Sequence, residues 1–263
     1  MNTVVVITGA SSGIGKCTAD ELVKRGCTVY DLSRRDIDSY AINHIKTDVT
    51  DEASITNAVT EIIRREGRID VLVNNAGFGI SGAVEFTDTE DAKRLFDVNF
   101  FGLVRVTKAI IPYMRKAGKG RVVNVSSVAA VAPIPYQTFY TASKSAVMTY
   151  SMALANEVAD FGITVCSVLP GDIRTGFTGA REKSVLGDDI YGGRIARSVG
   201  RMEKDEQGGM APEKAAGKIA SIVLSRRRKP LYTIGFGYQC LALLIKLLPA
   251  SLVNRIIKLL YAK

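Results

Sequence analysis

Residues 3–15 read Thr-Val-Val-Val-Ile-Thr-Gly-Ala-Ser-Ser-Gly-Ile-Gly, and this stretch decides the fold of the chain. Residues 4–7 are apolar throughout, as expected of a short strand that is buried on both faces of a sheet. The turn that follows has the glycine spacing G-x-x-x-G-x-G, and a helix-length pattern begins at Gly13. Glycine lets a backbone turn sharply and approach a pyrophosphate, which the free N–H groups of a helix N-terminus bind. The stretch therefore predicts a strand, a phosphate-binding loop and a helix.

Strand-like and helix-like segments alternate through the first two-thirds of the chain. The pattern predicts strands at 3–8, 28–32, 43–46, 71–74, 122–126 and 164–169, and helices at 13–25, 51–66, 88–116 and 138–161. A further helix at 212–224 and a last strand at 230–234 follow. Such alternation is typical of an α/β domain with a doubly wound parallel sheet, and 263 residues suit one domain of this kind.

The composition excludes several classes of protein. Hydrophobic residues at 47% and charged residues at 23% are ordinary for a globular chain and exclude a disordered or fibrous one. The four cysteines are scattered and His44 is the one histidine, so we expect no metal site and no Ser-His-Asp hydrolase. The chain has no positively charged leader and no apolar run of membrane-spanning length. We therefore expect a cytoplasmic protein with reduced thiols.

The formal net charge of +9 is concentrated near the C-terminus. No acidic residue follows Glu213, whereas ten lysines and arginines do. The rest of the chain is close to neutral, so the basic composition does not indicate a nucleic-acid partner.

Three further motifs accompany the glycine loop: Asn-Asn-Ala-Gly at 74–77, Tyr-Thr-Ala-Ser-Lys at 140–144 and Pro-Gly-Asp-Ile-Arg-Thr at 170–175. Together with Thr-Gly-x-x-x-Gly-x-Gly, they resemble the motifs of the short-chain dehydrogenases/reductases, and the resemblance extends from residue 3 to about residue 235. It implies a single Rossmann-type domain with a seven-stranded sheet, a nicotinamide cofactor, a small-molecule substrate and a homo-oligomer.

Tyr140 and Lys144 are four residues apart on a predicted helix and therefore share one face. Reduction of a ketone needs a proton donor for the forming alkoxide, and a lysine ammonium helps a tyrosine, whose pKa is ordinarily about 10, to exchange that proton. The resemblance implies that Ser127 orients the substrate oxygen and that Asn99 holds a water linking Lys144 to solvent. A buried helical Asn99 that bonds to its own backbone is the alternative.

The second strand ends in Asp31-Leu32-Ser33 and is followed by Arg34. A carboxylate at this strand end binds the ribose hydroxyls of NAD, whereas an arginine accepts the additional phosphate of NADP. Ser33 occupies the position of the acid, so we expect NADP(H) to be preferred over NAD(H). The resemblance implies a larger set of cofactor contacts: Gly9, Ser11, Ser12, Gly13, Ile14, Gly15, Ser33, Arg34, Asp48, Val49, Asn75, Ala76, Gly77, Tyr140, Lys144, Pro170, Gly171, Ile173 and Thr175.

Two segments depart from the strand and helix pattern. Residues 172–210 combine many glycines with many charges, which indicates either a mobile lid over the substrate or a solvated surface insertion. Residues 237–263 are predicted to form a basic, amphipathic helical tail beyond a domain at 1–236. The apolar face of this tail either contacts an anionic membrane peripherally or packs on the body or a second subunit, over the mouth of the active site.

The sequence thus predicts an NADP(H)-dependent oxidoreductase that interconverts a secondary alcohol and a carbonyl, with Tyr140 as general acid and base. An apolar neighbourhood favours a steroid, retinoid or fatty-chain ketone: Val128, Ala129, Val131, Pro133, Ile134, Pro135 and Phe139. The alternative is a non-catalytic dinucleotide-binding scaffold or sensor. A sugar-nucleotide epimerase of the related longer branch would have a different glycine spacing and a longer chain.

Overall fold

The computed structural model describes residues 2–37 and 39–262. Its central sheet has seven parallel strands in the order β3-β2-β1-β4-β6-β7-β9, which confirms the predicted seven-stranded, doubly wound sheet. The strands are β1 (Val4–Thr8), β2 (Thr28–Ser33), β3 (Asn43–Lys46), β4 (Val71–Asn74), β6 (Gly120–Val125), β7 (Ile163–Pro170) and β9 (Leu231–Ile234). Two short strands, β5 (Ile80–Ser81) and β8 (Glu182–Lys183), pair separately.

Ten α-helices lie in the described parts of the chain. They are α1 (Gly13–Lys24), α2 (Glu52–Glu66), α3 (Thr89–Phe96), α4 (Leu103–Lys116), α5 (Thr138–Glu157), α6 (Phe177–Ala180), α7 (Arg194–Gln207), α8 (Pro212–Val223), α9 (Phe236–Leu247) and α10 (Ala250–Tyr261). Local chemistry sets their ends. The Asp51 carboxylate accepts the Ala53 amide at the start of α2, and Gly67 ends that helix in the left-handed region at φ 72°.

The core has one layer on each face of the sheet. Alternate residues of β1 point to opposite faces, so Val4 and Val6 pack with residues of α2, α4 and α5, whereas Val5 and Ile7 pack with residues of α1 and α8. This two-sided burial explains why the strand is apolar at every position.

Strand order reverses at β1, which has β2 on one side and β4 on the other. The chain leaves these strands toward helices on opposite faces of the sheet, so a crevice opens beyond their carboxyl ends. The glycine loop after β1 and the Asn-Asn-Ala-Gly segment after β4 meet at this crevice.

One predicted segment differs from the structure: the single helix expected at 88–116 contains a π-helical turn, Asp97–Gly102, between α3 and α4. The segment 172–210 contains α6, β8 and the 14-residue helix α7. The tail forms two helices, α9 and α10, because Pro249 lies between them. Lys263 lies outside the described residues.

Candidate active site

The glycine loop is held against the end of β4 by side chains as well as backbone. The Thr8 hydroxyl oxygen accepts the amides of Asn75 and Ala76, each at 3.0 Å. The Asn75 amide group donates to the carbonyls of Thr8 and Gly9, each at 3.1 Å. A Cβ on Gly15 would lie 2.4 Å from the Gly9 oxygen, so only glycine permits this close packing. The loop therefore has a fixed shape.

The start of α1 presents a site suited to a phosphate. Ser12 precedes the helix, but its side chain does not cap it, and the first turn carries no acidic residue. Residues Ser11–Gly15 line a large cavity, as do Ser33, Asp48, Val49, Asn75, Ala76 and Gly77. Backbone N–H groups of an uncapped helix N-terminus attract anions. The residues present therefore fit the pyrophosphate of a dinucleotide.

Two adjacent arginines differ in their relation to this loop. The Arg35 guanidinium donates to the Ser11 hydroxyl at 3.1 Å and to the Ser12 hydroxyl at 2.8 Å. The Arg34 side chain is 72% exposed, and its guanidinium lies 3.9 Å from the Asp48 carboxylate. Both arginines line the cavity. Arg34 was predicted from the sequence to bind the cofactor, but Arg35 was not. The position of Arg35, directly after Arg34, was the signal that could have identified it.

Asp31 is buried inside the sheet rather than exposed at its end. Its carboxylate accepts the Ala10 amide at 2.7 Å and the Ser33 hydroxyl at 2.6 Å, and it lies 2.9 Å from Nδ1 of His44. Through the contact with Ala10, the buried Asp31 carboxylate supports the glycine loop from inside the sheet. Ser33 and Arg34, and not Asp31, line the cavity where an adenine ribose would lie.

Asp48 is fixed by its own turn. Its Oδ1 accepts the Thr50 amide at 2.9 Å and the Thr50 hydroxyl at 2.8 Å. Burial opposes the ionisation of this carboxyl, but the Thr50 hydrogen bonds and the nearby Arg34 charge hold its pKa below the usual value. Asp48 therefore contributes a fixed negative charge to the cavity wall.

Ser127, Tyr140 and Lys144 come together beyond the end of β6. Ser127 follows β6, and α5 carries Tyr140 and Lys144 on one face, with the Lys144 ammonium 5.8 Å from the Tyr140 ring centre. Burial raises the pKa of Tyr140 to about 12, against the opposing effect of a hydrogen bond with Ser127. Burial also lowers the pKa of Lys144 to about 8, and its ammonium donates to the Val125 carbonyl at 3.0 Å.

Asn99 lies in the π-helical turn, and such turns are frequent at functional sites. Its side-chain amide donates to the Phe78 carbonyl at 2.9 Å, and its Oδ1 accepts the Phe78 amide at 2.9 Å. The amide also lies 3.2 Å from the Ser143 hydroxyl, one residue before Lys144. Asn99 thus joins the segment after β4 to α5, and the alternative in which it bonds to its own helix is wrong.

The cavity continues from these residues to the tail and has a volume of about 1110 Å³. Pro170, Gly171, Ile173 and Thr175 line the cavity. From these residues toward the tail, the cavity wall is largely apolar. The tail supplies Leu241, Leu244, Ile245, Leu248, Val253, Ile256, Ile257 and Leu260. Of the seven apolar residues expected near the site, Val128, Ala129 and Ile134 are among the lining residues; Val131, Pro133, Pro135 and Phe139 are not.

The tail packs on the body at the mouth of the site, which was one of its two expected positions. Val253 and Ile257 are buried against Val128 and Leu169. A Cβ on Gly171 would lie 2.0 Å from the Tyr238 ring, so the glycine after β7 allows α9 to approach. The predicted apolar face is only partly covered, because four of its residues are exposed: Leu252, Ile256, Leu259 and Leu260.

Carboxylates form a polar patch in the same cavity wall. Arg181 pairs with Glu206, and Arg201 lies 3.5 Å from Asp205. Asp172 instead accepts a hydrogen bond from the neutral Tyr238 hydroxyl. Burial raises the pKa of Asp172, and the charges of nearby acids add to this effect against the Tyr238 hydrogen bond. Asp172 is therefore a carboxylate whose ionised form a cationic ligand would stabilise. No sequence pattern singled out Asp172, since it occupies an unspecified position of the Pro-Gly-x-x-x-Thr motif.

Comparison with known proteins agrees with this architecture. The family described as short chain dehydrogenase matches residues 3–185, and the chain belongs to the short-chain dehydrogenase/reductase family. It is therefore an NAD(P)-dependent oxidoreductase, and the alternative of a non-catalytic scaffold is not supported.

Particular relatives are similar over most of their length. A 3-ketodihydrosphingosine reductase from Bacteroides thetaiotaomicron is 46% identical over 233 residues, which cover 88% of this chain and 86% of the relative. The crystal structure of a short-chain dehydrogenase from Streptomyces avermitilis is 34% identical, has a TM-score of 0.83, and covers 98% of this chain and 96% of its own. ElxO with NADP bound is 29% identical, has a TM-score of 0.76, and covers 91% of this chain and all of its own. A 3-ketoacyl-(acyl-carrier-protein) reductase from Brucella melitensis, complexed with NADH, is 26% identical, has a TM-score of 0.75, and covers 90% of this chain and 98% of its own.

Proposed function

We propose that this chain uses NADPH to reduce the ketone of a long-chain amino ketone, with 3-ketodihydrosphingosine as the substrate. The observation that carries the proposal is the single cavity, which joins the glycine loop, the Ser127–Tyr140–Lys144 group and the apolar wall of the tail. This cavity can therefore accommodate a cofactor, a reacting carbonyl and a long alkyl chain next to one another. The similarity to a reductase of that name supports the choice of substrate.

The substrate has two parts that match two parts of the wall. Its long saturated chain, on one side of the ketone, suits the leucines and isoleucines of the tail. Its amine, on the carbon at the other side of the ketone, is a cation near neutral pH. The Asp172 carboxylate forms no direct ion pair among the described residues, and the positive charge of Arg181 that influences it is more distant, so it attracts such an ammonium group. A steroid or a retinoid would offer no cation for Asp172.

Tyr140 and Ser127 act on the ketone oxygen. The glycine loop would hold NADPH, which when bound would provide the hydride for the carbonyl carbon. The Ser127 hydroxyl and the Tyr140 hydroxyl donate hydrogen bonds to the carbonyl oxygen, and Tyr140 transfers its proton as negative charge develops there. The raised pKa of Tyr140 keeps its hydroxyl protonated at neutral pH, which suits a general acid.

Lys144 and Asn99 help to replace the proton that Tyr140 transfers to the substrate. The positive charge of Lys144 stabilises the tyrosinate, and a pKa near 8 allows the ammonium to lose and regain a proton close to neutral pH. Asn99, tied to Phe78 and Ser143, holds the segment that lies between Lys144 and the glycine loop. Asn99 positions a water molecule through which Lys144 regains a proton from solvent.

The cofactor preference follows from the two arginines. Arg35 bridges Ser11 and Ser12, and Arg34 lies at the open side of the same pocket. Their two positive charges suit the additional phosphate of NADPH, and β2 ends in Ser33 rather than in a carboxylate. Arg35 supplies the stronger contact because Ser11 and Ser12 hold its guanidinium in place.

Spectrophotometric assay of NADPH oxidation, with mass spectrometry of the product, tests the proposal. The purified chain is supplied with 3-ketodihydrosphingosine in mixed micelles. We expect turnover to dihydrosphingosine by the unmodified protein and by the control variant Tyr113→Phe, whose ring is exposed on α4, but not by Tyr140→Phe. Absence of turnover on this ketone, in a protein that reduces a 3-oxoacyl thioester, would overturn the substrate assignment.

A further inference from the structure

The tail exposes a second apolar surface that faces away from the body. We call it the tail face and define it by Leu243, Leu247, Leu252 and Leu259. Leu247 is 74% exposed and Leu243 is 61% exposed, and none of the four lines the cavity. Large apolar patches on a soluble surface mark contacts with another protein or with lipid.

The cavity opens beside this surface. Leu244, Ile256 and Leu260 line the cavity and are also more than a third exposed. The same two helices therefore carry the rim of the cavity and the tail face. A molecule that covers the tail face also meets the cavity opening.

The two helices that carry the tail face also carry exposed basic residues. Lys246, Arg255 and Lys258 are exposed on α9 and α10, and no acidic residue occurs in the sequence beyond Glu213. An apolar surface bordered by basic side chains complements the interface of an anionic bilayer, where apolar groups enter the acyl boundary and cations meet the head groups.

We propose that the tail face docks on an anionic membrane, so that the cavity rim meets the bilayer and a lipid substrate enters without crossing water. The contact is peripheral. No helix in the described parts of the chain is long and apolar enough to cross a bilayer, and α9 and α10 have 12 residues each. The docking surface goes beyond the proposed reaction and depends on it only for the identity of the lipid.

Flotation with lipid vesicles tests the proposal. The full-length chain is mixed with vesicles of phosphatidylcholine alone, or with added phosphatidylglycerol, at low and high salt, without substrate or cofactor. We expect binding to the phosphatidylglycerol vesicles, at least tenfold weaker binding to the neutral ones, and release by salt. No binding to anionic vesicles at low salt, or equal binding to both vesicle types, would overturn the proposal.

Matched variants separate the tail face from exposed apolar residues in general. Leu243→Ser/Leu247→Ser/Leu259→Ser is compared with Val185→Ser/Leu186→Ser/Ile190→Ser, which removes three similarly exposed side chains elsewhere. We expect the first variant to lose at least tenfold in vesicle affinity and the second to bind as the unmodified chain does. Equal binding by the two variants would contradict the proposal.

The basic residues are tested in the same way. Lys246→Gln/Arg255→Gln/Lys258→Gln is expected to lose about tenfold or more in affinity at low salt, whereas Lys24→Gln/Lys108→Gln/Lys116→Gln, with the same net charge, is not. Thermal unfolding checks that each variant is folded.

Light scattering measures the oligomeric state and so tests whether a second copy of the chain covers the tail face instead of a membrane. An oligomer that the leucine variant dissociates, in a protein that binds no vesicles, would assign the face to a subunit interface and overturn the proposal. Because these measurements involve no turnover, their failure leaves the proposed reaction intact, and an inactive protein that binds vesicles leaves the docking intact.

Discussion

The cavity has two walls that are built in different ways. The wall after β1, β4 and β6 consists of strand ends and a glycine loop, tied together by hydrogen bonds such as those of Thr8 and Asn75. The wall formed by α9 and α10 is attached to the body mainly through apolar side chains. On these two helices, only Val253 and Ile257 are buried. Hydrogen-bonded backbone holds atoms in fixed places, whereas apolar contact is non-directional. The first wall suits a reaction centre and a cofactor, and the second suits a substrate of variable conformation.

The largest expected effect is on the fixed wall. Tyr140→Phe removes the proton donor and keeps the ring, so kcat should fall by about 10²–10⁴-fold while NADPH affinity changes less than about twofold. Steady-state kinetics and fluorescence titration of NADPH measure the two quantities. A variant that kept most of its activity would show that the proton comes from elsewhere.

Arg35→Ala should weaken NADPH binding by about tenfold or more and leave NADH binding nearly unchanged, because a charge-assisted contact with a phosphate is worth roughly 1.5–3 kcal/mol. Arg34→Ala should have a smaller effect, since its side chain is 72% exposed. Calorimetric titration with both cofactors checks this. Equal affinities for NADPH and NADH in the unmodified chain would be incompatible with the proposed preference.

Asp172 lies where the two walls meet, and its substitution tests the substrate side. Asp172→Asn should lower kcat/KM for 3-ketodihydrosphingosine by about tenfold, since the ammonium loses its anionic partner. For a ketone of the same length without the amine, kcat/KM should be unchanged. A parallel loss on both ketones would instead indicate a structural role for the Asp172–Tyr238 contact.

The smallest effect concerns the pH dependence. Burial lowers the pKa of Lys144 to about 8, so its ammonium form prevails below that pH and is lost above it. If the ammonium form is the active one, kcat/KM for NADPH should fall about fourfold between pH 7 and about pH 8.5. Lys144→Arg, which stays charged, should show a flat profile over this range. A profile that rises with pH would contradict the role given to Lys144.

The difference between the walls also explains how much the sequence predicted. The glycine loop, the Tyr140–Lys144 pair and the strands of the central sheet depend on local spacing, and each could be predicted within a few residues. Asn99 was found through its motif, but its bonds to Phe78 depend on a π-helical turn that no residue pattern indicated.

The substrate wall was harder to predict because it depends on contacts between distant segments. Helix α7 lies in a segment whose glycines and charges indicated a lid or a surface insertion and gave no sign of a 14-residue helix. Asp172 is buried by the packing of distant segments, and its hydrogen-bond partner Tyr238 is 66 residues further along the chain. The tail was correctly predicted to be helical and amphipathic, but which leucines would be buried depended on the body beneath it.

The most direct test of the account compares three substrates for the unmodified chain with NADPH: 3-ketodihydrosphingosine, the same ketone without its amine, and an amino ketone with a short alkyl chain. We expect the highest kcat/KM for 3-ketodihydrosphingosine and a loss of about tenfold or more on removing either the amine or the long chain, because each is held by its own part of the wall. Equal kcat/KM values for all three ketones would contradict the assignment of the tail and Asp172 to the substrate.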